Sequence, residues 1–198
     1  MAVVLLVCGS AGAAAGQTFR GYLAGGAIAS QLDGDMLAGY NRLGLLGGAG
    51  VWYDLSDKWR TSLTIAYAPN GSRASAREAQ RTAGTFREIK LNYVAVPVHL
   101  HYMDWLSDDE VYYRLEFVGG FEYRRLIGTQ TIDFGDRDIT ETMNYRPNGL
   151  GLNLGAYYSL SERTAVGAFH RWGVLNANER AGTPLLSKQV SLSVRQAF

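Results

Sequence analysis

Residues 111–125 limit what this chain can become more than any other stretch. Val111, Tyr113, Leu115, Phe117, Phe121 and Tyr123 share one parity, while Arg114, Glu116, Glu122 and Arg124 hold the other. That is the period of an extended strand with one apolar and one charged face. Charges stripped of water are costly, so four of them on one face argue against a strand buried in a sandwich. Fifteen residues exceed the roughly 9–11 that a tilted strand needs to cross the apolar part of a bilayer. The charged face then looks either into solvent at a sheet edge or into a polar barrel interior.

The pattern recurs along the chain. Strands are expected over 19–28, 42–53, 59–67, 89–103, 111–125, 149–158, 164–172 and 185–198. In the third, Trp59, Thr61, Leu63, Ile65 and Tyr67 oppose Arg60, Ser62, Thr64 and Ala66. In the seventh, Val166, Ala168 and Trp172 oppose Arg171, and in the last, Val190, Leu192, Val194 and Phe198 oppose Ser191, Ser193 and Arg195. The fourth opens with Lys90 and Asn92 opposite Leu91 and Tyr93 and then turns apolar on both parities. Pro97 in its middle lacks a ladder donor, so a bulge or local break is expected there.

Tight polar turns fall at 54–58, 104–110 and 159–163, and longer polar connections at 29–40, 68–88, 126–148 and 173–184. The long ones follow the first, third, fifth and seventh strands and therefore share one rim. The expected fold is all-β: an eight-stranded antiparallel up-and-down transmembrane β-barrel, with short periplasmic turns and long extracellular loops. Closure removes the edges that such strands would expose. A barrel this narrow is filled by its own side chains, so Arg60, Arg114, Glu116, Glu122, Arg124, Arg171 and Arg195 are expected to point inward and pair across strands. A soluble lipocalin-like binder shares the strand count but is apolar inside. Tyr53, Trp59, Tyr113, Tyr123, Tyr158, Trp172 and Phe198 lie near strand ends on the apolar parity, as an aromatic belt at the membrane boundaries requires.

Composition supports this. No apolar run reaches the length of a spanning helix, and 24 glycines and 12 tyrosines against 4 prolines suit packed strands. A net charge of +1 gives no argument for nucleic acid. Residues 1–15 read as a signal peptide truncated at its start: an apolar core at Val3–Val7 precedes Ala13-Ala14-Ala15, with no basic residue before Arg20. The barrel domain is assigned to 19–198. Asp33-Gly34-Asp35 lacks the further oxygen ligands of a calcium loop and reads as a turn.

The segment SQLDGDMLAGYNRLGLLGGAGVWYDLSDKW and the closing strand resemble the PorT-type outer-membrane β-barrel family of Bacteroidota, small barrels of the OmpA/OmpX-like kind. The likeness covers about residues 19–70 and becomes generic from the fourth strand onward. It implies a small integral barrel of the bacterial outer membrane, with one branch of the family implied in type IX secretion and gliding motility.

The functional expectation is a non-enzymatic barrel acting as membrane anchor, subunit or surface-loop binding module. Its expected partners are outer-membrane lipid and lipopolysaccharide, and other outer-membrane or secretion-system proteins through the loops. The rivals are a component of a type IX secretion or outer-membrane assembly machine, a lipid-modifying enzyme and a secreted binder. An enzyme needs a nucleophile and base within hydrogen-bond reach. His99, His101 and His170 are the only histidines, and the reading gives them to belt or rim packing. No cofactor, metal or catalytic residue is expected.

Overall fold

A computed structural model describes residues 19–81, 86–109, 111–179 and 184–198; the signal-peptide reading over 1–15 lies outside them. The chain runs β1 (Arg20–Asp33), β2 (Arg42–Asp54), β3 (Trp59–Arg73), α1 (Ala76–Arg81), β4 (Phe86–Leu106), β5 (Tyr113–Asp133), α2 (Thr140–Met143), β6 (Asn148–Ser159), β7 (Thr164–Gly173) and β8 (Leu186–Ala197). Each strand pairs antiparallel with the next, and β8 closes on β1 from Tyr22↔Ala197 to Asp33↔Leu186. The fold is thus the closed eight-stranded barrel that the alternation implies.

The outward rows are apolar: Leu43, Leu45, Ile65, Phe121, Leu154 and Leu192 are all well exposed. On β3 and β5 these rows are bracketed by Trp59 and Tyr67 and by Tyr113 and Tyr123. At about 3.3 Å per residue and a tilt of about 40°, such spacings span roughly 20–25 Å, the height of the apolar band of an outer-membrane barrel.

Above that band the strands run on, and here the sequence reading stops short. β1 continues to Asp33, β3 to Arg73 and β5 to Asp133, and β4 begins at Phe86, so parts of three stretches read as loop are strand. The physical reason is an inversion of polarity. Outside the bilayer the outer face is wet and the inner face is packed, with Leu32, Ile89, Leu91, Tyr93, Met143, Ala177 and Leu185 forming an internal apolar cap at the long-loop end. β4 keeps one parity inward throughout, from Ile89 and Leu91 down to His101 and Met103. Its stretch that is apolar on both faces is therefore the crossing from wet exterior to lipid.

Pro97 does not produce a bulge. It pairs with Glu122 in register, and only the β3 side of the ladder lapses, between Leu63↔Val98 and Ala66↔Ala95, without a change of register. The register shifts fall instead at Phe86/Glu88 and Asn92/Tyr93. At the second, Tyr93 faces Leu126 and Asn92 faces Gly128, which leaves Ile127 as the extra residue.

A second interruption lies between β2 and β3. Their ladder ends at Gly47↔Tyr67 although β2 continues to Arg42 and β3 to Arg73. Beyond Tyr67, β3 swings into the lumen. Gln189 donates to the Pro69 carbonyl (2.9 Å), Asn70 Nδ2 to Ser187 Oγ (2.5 Å) and Ser30 Oγ to the Gly71 carbonyl (3.0 Å). Gly71 sits at φ 143° with the Ile89 carbonyl against its α-carbon, a place closed to any side chain.

The loops are tied to this cap. Ser75 and Glu78 form a capping box on α1: the Glu78 amide donates to Ser75 Oγ (3.3 Å), and Glu78 Oε2 accepts from the Ser75 amide (2.7 Å). Glu78 Oε1 also accepts from the Ala38 amide (2.7 Å), joining the first long loop to the second. Hydrogen bonds from Ser75 and the Ala38 amide hold the Glu78 carboxyl below the usual carboxylate range. The junction is therefore stabilised above the ordinary glutamate range and loses that stabilisation as pH falls through the depressed value. Protection of the 36–41 amides, taken relative to their intrinsic exchange rate at each pH, should fall on acidification, and Glu78→Gln should show the low protection already at neutral pH; unchanged protection in the variant refutes the link.

Candidate functional site

Side chains on the inner parity meet in two ionic layers. In the layer nearer the short turns, Glu116 accepts from Arg195 Nη1 (3.0 Å) and Nη2 (2.6 Å), and His101 Nδ1 stands 2.5 Å from its Oε1. His101 Nε2 in turn meets Ser62 Oγ at 2.8 Å. The Arg195 guanidinium lies over the rings of Tyr157 (4.1 Å) and Trp52 (4.9 Å). Ser62, His101, Glu116 and Arg195 are all buried, so each charge needs its partner.

In the layer nearer the long loops, Glu122 Oε1 accepts from Arg171 Nε (2.6 Å), and Arg124 Nε stands 3.1 Å from the same oxygen. Ser187 Oγ accepts from Arg124 Nη2 (3.1 Å) and Arg171 Nη1 (3.0 Å), and Arg124 lies 4.6 Å over the Tyr93 ring. Between the layers, Asn153 Nδ2 meets His99 Nε2 at 3.1 Å and Glu122 Oε2 at 3.4 Å.

Of the residues the sequence assigns to the lumen, Glu116, Glu122, Arg124, Arg171 and Arg195 stand in these layers. Arg60 lies at the short-turn mouth, paired with Asp54 at 2.5 Å and 4.5 Å over Trp52. Arg114 does not join them. It reaches past the strand end to Asp108 in the adjacent turn (2.7 Å), because the barrel wall ends there and solvated partners are nearer than the interior. His99 and His101 are corrected too: both face the lumen, not a belt or rim. His170 does lie outward, 3.1 Å from the Tyr40 hydroxyl and packed on Trp172.

The expected belt residues lie on the outer face. Tyr53, Trp59, Tyr113, Tyr158 and Phe198 are at the short-turn end, and Tyr123 and Trp172 at the other, beside Tyr67, which the sequence reading left unassigned to the belt. The reading also missed Ser62, Asn153, Ser187 and Gln189, which bind the charged layers. Their signal was available, since each shares parity with a lumen charge or histidine on its own or the neighbouring strand.

Ser62, His101 and Glu116 have the connectivity of a nucleophile, base and orienting acid. Their setting does not serve that chemistry. Ser62 is 3% exposed, and the lumen cavity is walled by His101 but not by Ser62, so no substrate carbonyl reaches the hydroxyl from it. Glu116 is also claimed on both oxygens by Arg195. Among the described residues no group of three or more His, Cys, Asp or Glu could hold a metal ion.

The model for the family described as outer membrane protein beta-barrel domain matches residues 1–187. No curated protein matches the chain. Among solved structures, Ail, the attachment invasion locus protein of Yersinia pestis, is 11% identical with a TM-score of 0.54, covering 90% of this chain and 98% of that one. Ail in complex with the heparin analogue sucrose octasulfate is 10% identical with a TM-score of 0.52, over 91% and 99%. Neisserial surface protein A is 13% identical with a TM-score of 0.54, over 92% and 99%. At such identities the likeness is one of fold.

Proposed function

The chain belongs to the outer membrane protein beta-barrel domain family, an integral barrel of the bacterial outer membrane, and we propose that it works at the cell surface as a lipid-anchored binding module. One observation carries the reading: the long-loop end is built as a platform. Strands β4 and β5 each run 21 residues, past the aromatic belt, and their extensions close over an apolar cap that holds α2 through Met143. Loops carried on such a frame present a fixed surface. Glu122 and Glu116 pair with Arg171 and Arg195 across the lumen, so the barrel is the anchor and the loops are the contact face.

The first contact proposed is lipopolysaccharide. Just above the upper belt, Arg125 is exposed and donates to Asn148 Oδ1 (2.8 Å), which also accepts from the Tyr123 hydroxyl (2.8 Å). Lys90, on the neighbouring strand, reaches Gln130 at 3.2 Å. Cations flanked by belt tyrosines suit the phosphates of an outer-leaflet glycolipid. In nanodiscs, lipopolysaccharide should raise the unfolding temperature of the wild-type barrel, and Arg125→Glu with Lys90→Glu should remove most of that increment while leaving the temperature in phosphatidylcholine unchanged. An equal increment in the variant would sink the reading.

The heparin-analogue complex of Ail favours a polyanionic glycan as a further surface ligand. The PorT-type likeness of residues 19–70 supports a narrower form in which the platform meets a secretion-system protein. Removal of residues 1–15 as a leader is part of the same proposal.

A further inference from the structure

Asp33 and Asp35 stand two residues apart at the start of the first long loop and meet opposite surroundings. Asp33, on the outer face, accepts from Gln31 Nε2 (2.9 Å) and pairs with Lys188 (2.6 Å). Asp35 is 0% exposed. Its Oδ1 accepts from the Leu37 amide (2.9 Å), but its Oδ2 has no hydrogen-bond partner. The polar side chain beside it is Ser72 on β3, also fully buried, whose Oγ is likewise unpartnered. Positive φ angles at Gly34 (103°) and Met36 (66°) hold this arrangement, with Asp35 turned in and Met36 left exposed between loop and solvent.

A carboxylate in that position lacks what a buried charge needs. Among the described residues no lysine or arginine pairs with it. Arg42 is bound to the Asn70 carbonyl and Glu88, Lys188 to Asp33, and Arg73, next to Ser72, is exposed. The charged group that does face it is Glu78 of α1, an anion, and a further titratable neighbour is the Tyr145 phenol, itself bonded to Thr131. A neutral acid avoids this cost. It gives Oδ2 a proton to donate, and the Ser72 Oγ beside it is an acceptor with no other donor. Burial above all, with the Glu78 charge, pushes the Asp35 carboxyl above the usual aspartate range, against the opposing pull of Ser72 and the Leu37 amide.

We propose that Asp35 is a proton-operated latch on the first long loop: in the closed loop it stands as the neutral acid facing Ser72 Oγ, and losing the proton releases residues 34–41 from the barrel end. The carboxyl ionises more readily in the released loop, where water solvates it, so release is favoured as pH rises. Closing is fully supported below the ordinary aspartate range and weakens about tenfold per pH unit above it, until the raised value is reached. Glu78 acts on the same loop in the opposite sense, since its bond to the Ala38 amide needs the ionised form. The two acids therefore pin residues 34–41 over a band of pH, bounded by Glu78 on the acid side and by Asp35 on the alkaline side. The acidity of the surroundings then sets how much of the platform is formed, whichever ligand that platform takes.

The test uses the full chain in phosphatidylcholine nanodiscs, labelled with γ-¹³C aspartate. The NMR resonance that disappears in Asp35→Asn is expected at the protonated position at about pH 5, where exposed aspartates are ionised. Hydrogen exchange then reads the latch. From about pH 5 to about pH 7, protection of the Leu37 and Ala38 amides, taken relative to their intrinsic rates, should fall about tenfold per unit in the wild type until it levels off. Asp35→Asn keeps an acceptor for Leu37 and supplies a permanent donor to Ser72, so its protection should stay at the acid value throughout. His170 meets the Tyr40 hydroxyl at the far end of the loop (3.1 Å), and any slope it causes is common to both proteins and cancels in the comparison. An Asp35 Cγ that titrates in the ordinary aspartate range overturns the proposal, as does an equal slope in the variant or a loss of its protection at the acid end. Flat protection in the wild type overturns it too, and that arm decides the matter even if the variant does not fold.

Discussion

Replacing Glu116 with alanine should destabilise the folded barrel by about 3–5 kcal/mol, the scale for removing one partner of a buried ion pair. Two guanidinium nitrogens of Arg195 lose their acceptor at once, and His101 Nδ1 loses the carboxylate oxygen that stands 2.5 Å from it. Arg195 and His101 are themselves buried, beside the buried rings of Tyr22, Trp52 and Tyr157, so water is a poor substitute for the lost carboxylate. The arginine keeps its aromatic neighbours, but contacts of that kind contribute about 0.5–2 kcal/mol and do not replace a bidentate carboxylate. Glu116→Gln keeps the shape and one acceptor oxygen and should cost clearly less. Urea titration in detergent micelles, with the mobility difference between unboiled and boiled samples as the folded-state signal, gives both values. A loss below about 1 kcal/mol for the alanine variant would mean that the layer is hydrated and the pair weak.

This layer shows how far the sequence could be read. Strand number, turn placement and the inward face of β5 follow from alternation, because a membrane barrel puts lipid on one parity and a polar interior on the other. Glu116, Glu122, Arg124, Arg171 and Arg195 were therefore legible one strand at a time. Their pairing was not, since Arg195–Glu116 joins residues on strands that are not neighbours, and nothing local encodes which layer a charge occupies. His101 was misassigned for a related reason. It lies on the parity of Ile89 and Leu91, and without the level of the membrane boundary that row looks apolar and outward. The sequence shows the strand extensions only as a lengthening of the strands into the ends of 68–88, without their limits, because the rule reverses at this end of the barrel, where Lys90 faces water while Ile89 faces the cap. The bulge at Ile127 changes the inward parity of β5 to that of Thr131 and Asp133, a shift that no residue type in the stretch announces.

The closure of β8 on β1 gives the second large effect. Gly26 pairs with Ser193 on the inner face, and a β-carbon built there would lie 2.0 Å from the Leu192 carbonyl oxygen and 2.6 Å from the Ser193 α-carbon. Both obstacles are backbone, so no rotamer change relieves them; the strands must separate and give up ladder bonds at the seam that makes the sheet a barrel. Gly26→Ala is expected to cost about 3 kcal/mol or more, beyond the usual range for an added methyl group in a packed interior. The adjacent Gly25 provides the control. It faces outward, its nearest obstacle is the Leu46 carbonyl at 3.9 Å, and Gly25→Ala should stay within about 0.5 kcal/mol of wild type, as surface substitutions do. The two variants differ by one position and one face, so helical or strand propensity, expression and lipid contact cannot produce a difference of that size between them. Refolding from urea into micelles should give heat-modifiable protein for Gly25→Ala and little for Gly26→Ala. Equal yields and equal midpoints would show that β1 and β8 stand farther apart than the pairing describes, and that the tight approach at Gly26 is not what closes the barrel.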